Sequence, residues 1–116
     1  MVAGRNILIV EDEPLIAMML EDCLKELGHQ VHACCETLTD SLAAIDAGGF
    51  DAAILDLNLH GDEAWPAAER LREQQLPFAI ASGGDVESAP EGFEAVPKLA
   101  KPFTFDSVAA MLEKLP

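Results

Sequence analysis

The stretch FDAAILD at residues 50–56 is a largely apolar run that ends on the carboxylate of Asp56. A short apolar run preceded by the glycine pair Gly48-Gly49 is typical of a buried strand. We therefore predict a central strand over residues 50–55. An unpaired carboxylate at the end of such a strand is costly, so Asp56 is expected to have charged or polar partners.

Similar runs recur along the chain and alternate with amphipathic stretches. Strands are predicted at 5–10, 30–35, 77–82 and 95–100. Three of the helices have a predicted inner face: Ile16, Met19, Leu20, Cys23, Leu24 and Leu27 before the stop at Gly28; Leu38, Leu42 and Ile45 after the cap at Thr37; and Val108, Met111, Leu112 and Leu115 after a start near Thr104. A further helix is predicted from about Asp62 to Gln75.

Strands that alternate with helices predict an α/β domain, a doubly wound parallel sheet with helices on both faces. The first, third and fourth strands are the most continuously apolar and should be central, whereas Pro97 would remove a ladder donor from a central strand. We expect the order 2-1-3-4-5 and one domain over residues 1–116. The segment 83–94 is rich in glycine and acidic residues, so the fourth helix is expected to be short or missing.

Polar side chains follow the ends of these predicted strands. They are Glu11, Asp12 and Glu13 after the first strand, Asp56 after the third, Ser82 after the fourth and Lys101 after the fifth. Right-handed crossovers bring the carboxyl ends of parallel strands to one edge of the sheet. The acids after the first strand could by themselves simply complement a helix dipole, but the whole set at one edge predicts a reactive site.

The chemistry of this set is that of a hard cation beside a nucleophile. Clustered carboxylates raise one another's pKa unless a cation intervenes, and Mg²⁺ prefers oxygen ligands. A carboxylate can attack phosphorus, and the transferring group then needs positive charge around its oxygens. Lys101 as a cation and Ser82 as a hydroxyl donor meet that need.

The charge balance argues against several classes of partner. The 116 residues contain 21 acidic and 7 basic side chains, a net charge of −14. Such a surface repels phosphate backbones and anionic lipids, so neither nucleic acid nor membrane is an expected partner. The sequence has no stretch typical of a secretory signal or a membrane span, and Cys23, Cys34 and Cys35 lack metal-ligand spacing. We expect a cytoplasmic protein with free thiols.

Four segments together resemble the receiver domains of two-component response regulators. They are ILIVEDEP, AAILDLNL, IASGG and LAKPF, and the resemblance extends over essentially the whole chain. It implies that Asp56 accepts a phosphoryl group from a histidine kinase. It also implies a Mg²⁺ site made of the acid pair Glu11 and Asp12 with Asp56 and Asn58, in which Asp12, Asp56 and the main-chain carbonyl of Asn58 hold the ion.

The resemblance implies roles for two further residues. Ser82 would be the switch hydroxyl, and Lys101, before a cis peptide to Pro102, would sense the phosphoryl group. Such a protein catalyses only its own phosphorylation and dephosphorylation and is not an enzyme in the usual sense. Its output would be protein contact, or the shuttling or draining of phosphoryl groups.

Departures from the usual receiver pattern point to a subfamily. The loop after Asp56 reads LNLHGDEAWP, and Lys98 stands where an aromatic residue is usual. These features, with PFAIASGG, are similar to the alphaproteobacterial FATGUY receivers, which implies a kinase of the HWE or a related class. With no aromatic ring at position 98, we expect phosphorylation to act by ordering the segment 83–94.

Three other classes fit the sequence less well. A haloacid-dehalogenase-like phosphotransferase needs a second Asp two residues after the nucleophile, where this chain has Asn58. A flavodoxin-like protein needs a hydroxyl-rich phosphate loop after the first strand, which is acidic here. A pseudo-receiver that only binds partners should have lost Asp12, Asp56 or Lys101, and all three are present.

Overall fold

The computed structural model describes residues 4–82, 93 and 95–115. Its strands are β1 (Asn6–Val10), β2 (Gln30–Cys35), β3 (Ala52–Asp56), β4 (Asn58–Leu59), β5 (Asp62–Glu63), β6 (Phe78–Ser82) and β7 (Lys98–Ala100). Its helices are α1 (Pro14–Glu26), α2 (Leu38–Ala47), α3 (Trp65–Glu73) and α4 (Phe105–Glu113).

Five of the strands form a parallel sheet in the order β2-β1-β3-β6-β7. Counting only these strands, this is the predicted order 2-1-3-4-5, which is confirmed. All five residues of β3 are buried. In β2 and β7, at the two edges of the sheet, exposed residues alternate with residues that are buried or half-buried. The pattern fits a sheet whose central strands are covered on both faces and whose edge strands are covered less.

Two apolar cores lie on opposite faces of this sheet, because side chains alternate along each strand. In β1, Leu8 and Val10 belong to one core, and Ile7 and Ile9 belong to the other. Helices α2 and α3 cover the first core, and α1 and α4 cover the second. The packing holds the carboxyl ends of the central strands in fixed register.

Local sequence signals fix several helix boundaries. The Thr37 hydroxyl accepts from the backbone N–H of Asp40 at 3.1 Å, which caps α2 as predicted. Thr104 and Ser107 form a reciprocal capping box at the start of α4. Gly28 follows α1 with φ of 90°, a conformation that glycine adopts without strain. The two threonine caps pair backbone N–H donors that the start of a helix would otherwise leave unpaired.

Some predicted boundaries and faces were wrong. The third helix begins at Trp65 and not near Asp62, because Asp62 and Glu63 pair with β4 in a two-stranded antiparallel hairpin. Met19, predicted on the inner face of α1, is 48% exposed, since the buried face of that helix runs through Ala17, Leu20 and Leu24.

Other expectations have mixed outcomes. Cys34 is exposed and Cys35 is buried, as their opposite directions in a strand predict, while Cys23 is only half-buried. The predicted short or missing helix at 83–94, and its ordering on phosphorylation, fall almost wholly outside the described residues. Among the helices of the described part, none is long and apolar enough to cross a bilayer.

Candidate functional site

The carboxyl ends of four parallel strands bring the predicted site residues to one edge of the sheet. Val10 pairs with Leu55, so the residues that follow β1 lie beside Asp56 at the end of β3. Asp56 in turn pairs with Ala81, one residue before Ser82. Ser82 pairs with Ala100, and its carbonyl accepts from the backbone N–H of Lys101 at 3.0 Å.

Three carboxylates converge at this edge. Glu11, Asp12 and Asp56 each place an oxygen within 4.8 Å of the others. Glu11 and Asp56 are buried, and Asp12 is half-buried. Carboxylates this close repel one another, so the cluster requires positive charge.

Lys101 supplies that charge. Its Nζ donates to Glu11 Oε1 at 2.7 Å and to Asp56 Oδ2 at 2.9 Å. The side chain of Lys101 is only 18% exposed, so water screens these pairs weakly. The peptide bond from Lys101 to Pro102 is cis, as the resemblance implied.

The surroundings change the proton affinity of the acid pair in opposite directions. Burial and the neighbouring Asp56 raise the pKa of Glu11 to about 8, against the opposing hydrogen bond from Lys101. Burial also disfavours the charged form of Asp12, but the N–H of His60 and other hydrogen bonds hold the pKa of Asp12 below its usual value. The two acids thus differ in how readily they ionise.

The ammonium of Lys101 remains charged in this setting. Burial alone would lower the pKa of Lys101, but its hydrogen bonds to Glu11 and Asp56 outweigh that effect and raise the pKa. With its pKa at about 8, Glu11 is largely protonated at neutral pH, but Asp12 and Asp56 still outnumber the single ammonium of Lys101. The cluster can therefore accommodate a further cation.

Asn58 and Ser82 flank the cluster. The backbone N–H of Asn58 donates to Asp56 Oδ1 at 3.3 Å, which places this residue next to the central carboxylate. Ser82 is the half-buried last residue of β6, on the strand adjacent to that of Asp56. All of the predicted site residues therefore lie at or next to one edge of the sheet.

The sequence analysis missed one contributor, His60. This residue lies in the turn between β4 and β5, and its backbone N–H donates to Asp12 Oδ2 at 3.0 Å. The imidazole contributes less than the main chain, because it is 57% exposed and its Nδ1 lies 3.9 Å from the same oxygen. The pair His60-Gly61 between two short strands was the available signal, because two-residue hairpin turns favour residues that tolerate positive φ.

The donor set fits a magnesium ion. All of the clustered ligand atoms are carboxylate oxygens, the type that Mg²⁺ prefers, and they carry more negative charge than Lys101 offsets. Mg²⁺ is commonly held by one or two carboxylates together with several waters. The residues present therefore suit the ion that the sequence predicts.

Comparison with known proteins agrees with the fold described above. SdrG from Sphingomonas melonis Fr1 has a solution structure that superposes with a TM-score of 0.86 at 48% identity, over 98% of each chain. The BeF3-activated conformation of SdrG from Pseudomonas melonis Fr1 gives a TM-score of 0.81 at 49% identity, again over 98% of each chain.

A curated relative and a family profile extend the comparison. The transcriptional regulatory protein TcrA of Mycobacterium tuberculosis is 35% identical over 98% of this chain, which spans only 47% of the length of TcrA. The profile of the response regulator receiver domain matches residues 7–113. With the fold and the acidic edge of the sheet in agreement, the chain belongs to the response regulator receiver domain family.

Proposed function

We propose that this protein is a single-domain response regulator that takes a phosphoryl group from a histidine kinase onto Asp56. The observation that carries the proposal is the bridge from Lys101 to Asp56 and Glu11, at 2.9 and 2.7 Å, inside a cluster of three carboxylates. As the nucleophile, Asp56 would have beside it the cation that a transferred phosphoryl group needs.

The reaction needs little beyond positioning and charge. A carboxylate oxygen of Asp56 would attack phosphorus, forming a P–O bond as the P–N bond to the kinase histidine breaks. Lys101 already contacts this carboxylate and would pair with the new phosphoryl oxygens. The hydroxyl of Ser82, at the end of the adjacent strand, would donate to one of those oxygens.

Asp12, Asp56 and the main-chain carbonyl of Asn58 would hold Mg²⁺, with Glu11 completing the acid cluster. When bound, the ion would offset negative charge on the phosphoryl oxygens. The low pKa of Asp12 keeps its carboxylate ionised and available as a ligand. Glu11 is buried and bonded to Lys101, which suits a supporting role beside the ligands.

The likeness to SdrG, which covers 98% of both chains, supports the receiver function proposed for this domain. The sequence features PFAIASGG and LNLHGDEAWP support a place in the FATGUY subfamily and a kinase partner of the HWE or a related class. We infer a cytoplasmic protein whose output is contact with another protein or the shuttling of phosphoryl groups.

The test is chemical phosphorylation. Incubation with a small phosphodonor and Mg²⁺ should give one acid-stable, base-labile adduct in the wild type and none in Asp56→Asn. The matched control is Asp62→Asn, which removes an exposed carboxylate from β5 near the site. Equal labelling of wild type and Asp56→Asn would remove Asp56 from the role of acceptor.

A further inference from the structure

The hairpin after Asp56 has a tight two-residue turn. Strands β4 and β5 are antiparallel, with Leu59 paired to Asp62, so the turn between them consists of His60 and Gly61. Both residues have positive φ, 51° and 87°, the signature of the two-residue turn whose twist matches paired strands. Glycine accepts this conformation freely, and a histidine accepts it at modest cost.

Several contacts hold this turn in place. The side-chain oxygen of Asn58 accepts from the N–H of Gly61 at 3.1 Å, and Leu59 is buried in the core at 1% exposure. The N–H of Ala64 donates to the carbonyl of Leu57 at 2.9 Å and closes the loop. The turn is therefore anchored to the sheet by side-chain and main-chain contacts together.

The anchored turn reaches back to the acid pair. Its backbone N–H at His60 donates to Asp12 Oδ2 at 3.0 Å, across 48 residues of sequence. Asp12 follows β1 in a loop and is half-buried, so its side chain lacks the enclosure that Glu11 has. A donor fixed on one oxygen restricts the rotation of the carboxylate and leaves its second oxygen for another partner.

We propose that the His60-Gly61 turn is the positioning element for Asp12 as a magnesium ligand, and that it acts through the main-chain N–H of His60. This inference rests on the proposed function of the site. It makes the requirement at position 60 a conformational one: the residue must tolerate positive φ, and its imidazole is dispensable.

Substitutions at the turn separate the main chain from the imidazole. His60→Asn removes the imidazole and keeps a residue that suits the turn, whereas His60→Val places a β-branched residue at positive φ. Gly61→Ala is a second turn variant, because a Cβ there meets no atom within 4 Å and only the backbone is strained. It keeps the inference testable if His60→Val does not fold.

The first measurement is the Mg²⁺ dissociation constant, from amide chemical shifts in an NMR titration with Mg²⁺ alone. We expect His60→Asn to bind within about twofold of wild type and the strained variants to bind about tenfold more weakly, the scale for loss of an outer-shell partner. Wild-type affinity in both strained variants would overturn the inference. So would an equal loss in His60→Asn, since that result assigns the effect to the imidazole.

The second measurement needs no metal. Hydrogen exchange of the His60 amide should be slow in the wild type and faster in Asp12→Ala, which removes its acceptor. Unchanged exchange would contradict the bond on which the inference rests. Phosphorylation of Asp56 is followed separately. If the wild type is phosphorylated and the turn variants bind Mg²⁺ normally, only this inference is wrong. If the wild type is not phosphorylated, the proposed function is wrong.

Discussion

The ammonium of Lys101 lies 2.9 Å from the carboxylate of Asp56, although 45 residues separate them in sequence. Both side chains are largely buried, at 18% and 11% exposure. In the metal-free protein this ammonium is the buried ionic partner of Asp56, and it also donates to Glu11. Removal of its charge should therefore affect stability as well as phosphoryl transfer.

Lys101→Met, which keeps the length of the side chain and removes its charge, should lower the free energy of unfolding of the metal-free protein by about 3 kcal/mol. The reason is that breaking this buried pair leaves the Asp56 carboxylate without its cation. Urea denaturation at neutral pH measures the change. Lys25→Met is the control, because Lys25 is exposed and its ion pair with Glu21 lies along its own helix. Equal stability of Lys101→Met and wild type would contradict the prediction.

Magnesium should raise the melting temperature. An ion that binds only the native state stabilises it by about 2.7 kcal/mol at one hundred times its dissociation constant. Asp12→Ala removes one of the clustered carboxylates and should abolish most of the rise in a thermal melt. The same rise with a monovalent salt at matched ionic strength would show that general screening, and not a site, is responsible.

Stability should also depend on the protonation of His29. Burial, together with the charge of Arg5, lowers the pKa of this imidazole in the folded state. Its Nδ1 accepts from the backbone N–H of Arg5 at 3.0 Å, and protonation would destroy that acceptor. Between the usual pKa of about 6.5 and the lower folded value, the unfolded state binds more protons, so stability falls as pH decreases through this window.

His29→Asn keeps an acceptor near the position of Nδ1 and removes the titration. The difference in melting temperature between wild type and this variant should therefore change between pH 7 and pH 5, with the wild type losing more stability on acidification. Parallel pH profiles for the two proteins would show that His29 does not contribute.

The hairpin next to the site should depend on one buried anchor. Leu59 is 1% exposed and packs in the core with Leu55 and Ala64. Leu59→Ala should lower the free energy of unfolding by about 2–5 kcal/mol, the usual range for a buried leucine. Leu15→Ala, at a position that is 65% exposed, should change it by less than about 0.5 kcal/mol. Denaturant titration of both variants checks this, and similar losses would contradict it.

The sequence by itself determined the architecture and most of the site. The alternation of apolar runs with amphipathic stretches predicts where strands and helices lie. Because crossovers between parallel strands are right-handed, it also predicts that the carboxyl ends of the strands meet at one edge of the sheet. The continuity of each run distinguishes a central strand such as β3 from an edge strand such as β7, because a central strand is buried on both faces. Asp56 and Lys101 could be placed at one edge in this way.

Only the tertiary structure decided how these groups meet and how the helices are rotated. Met19 is exposed because packing against the sheet selects Ala17, Leu20 and Leu24 as the inner face of α1, a choice that apolar periodicity leaves open. The contacts of Lys101 with Glu11 and of His60 with Asp12 span 90 and 48 residues. No local pattern encodes such distances, because they arise from the register of neighbouring strands and from a turn held by the core beneath it.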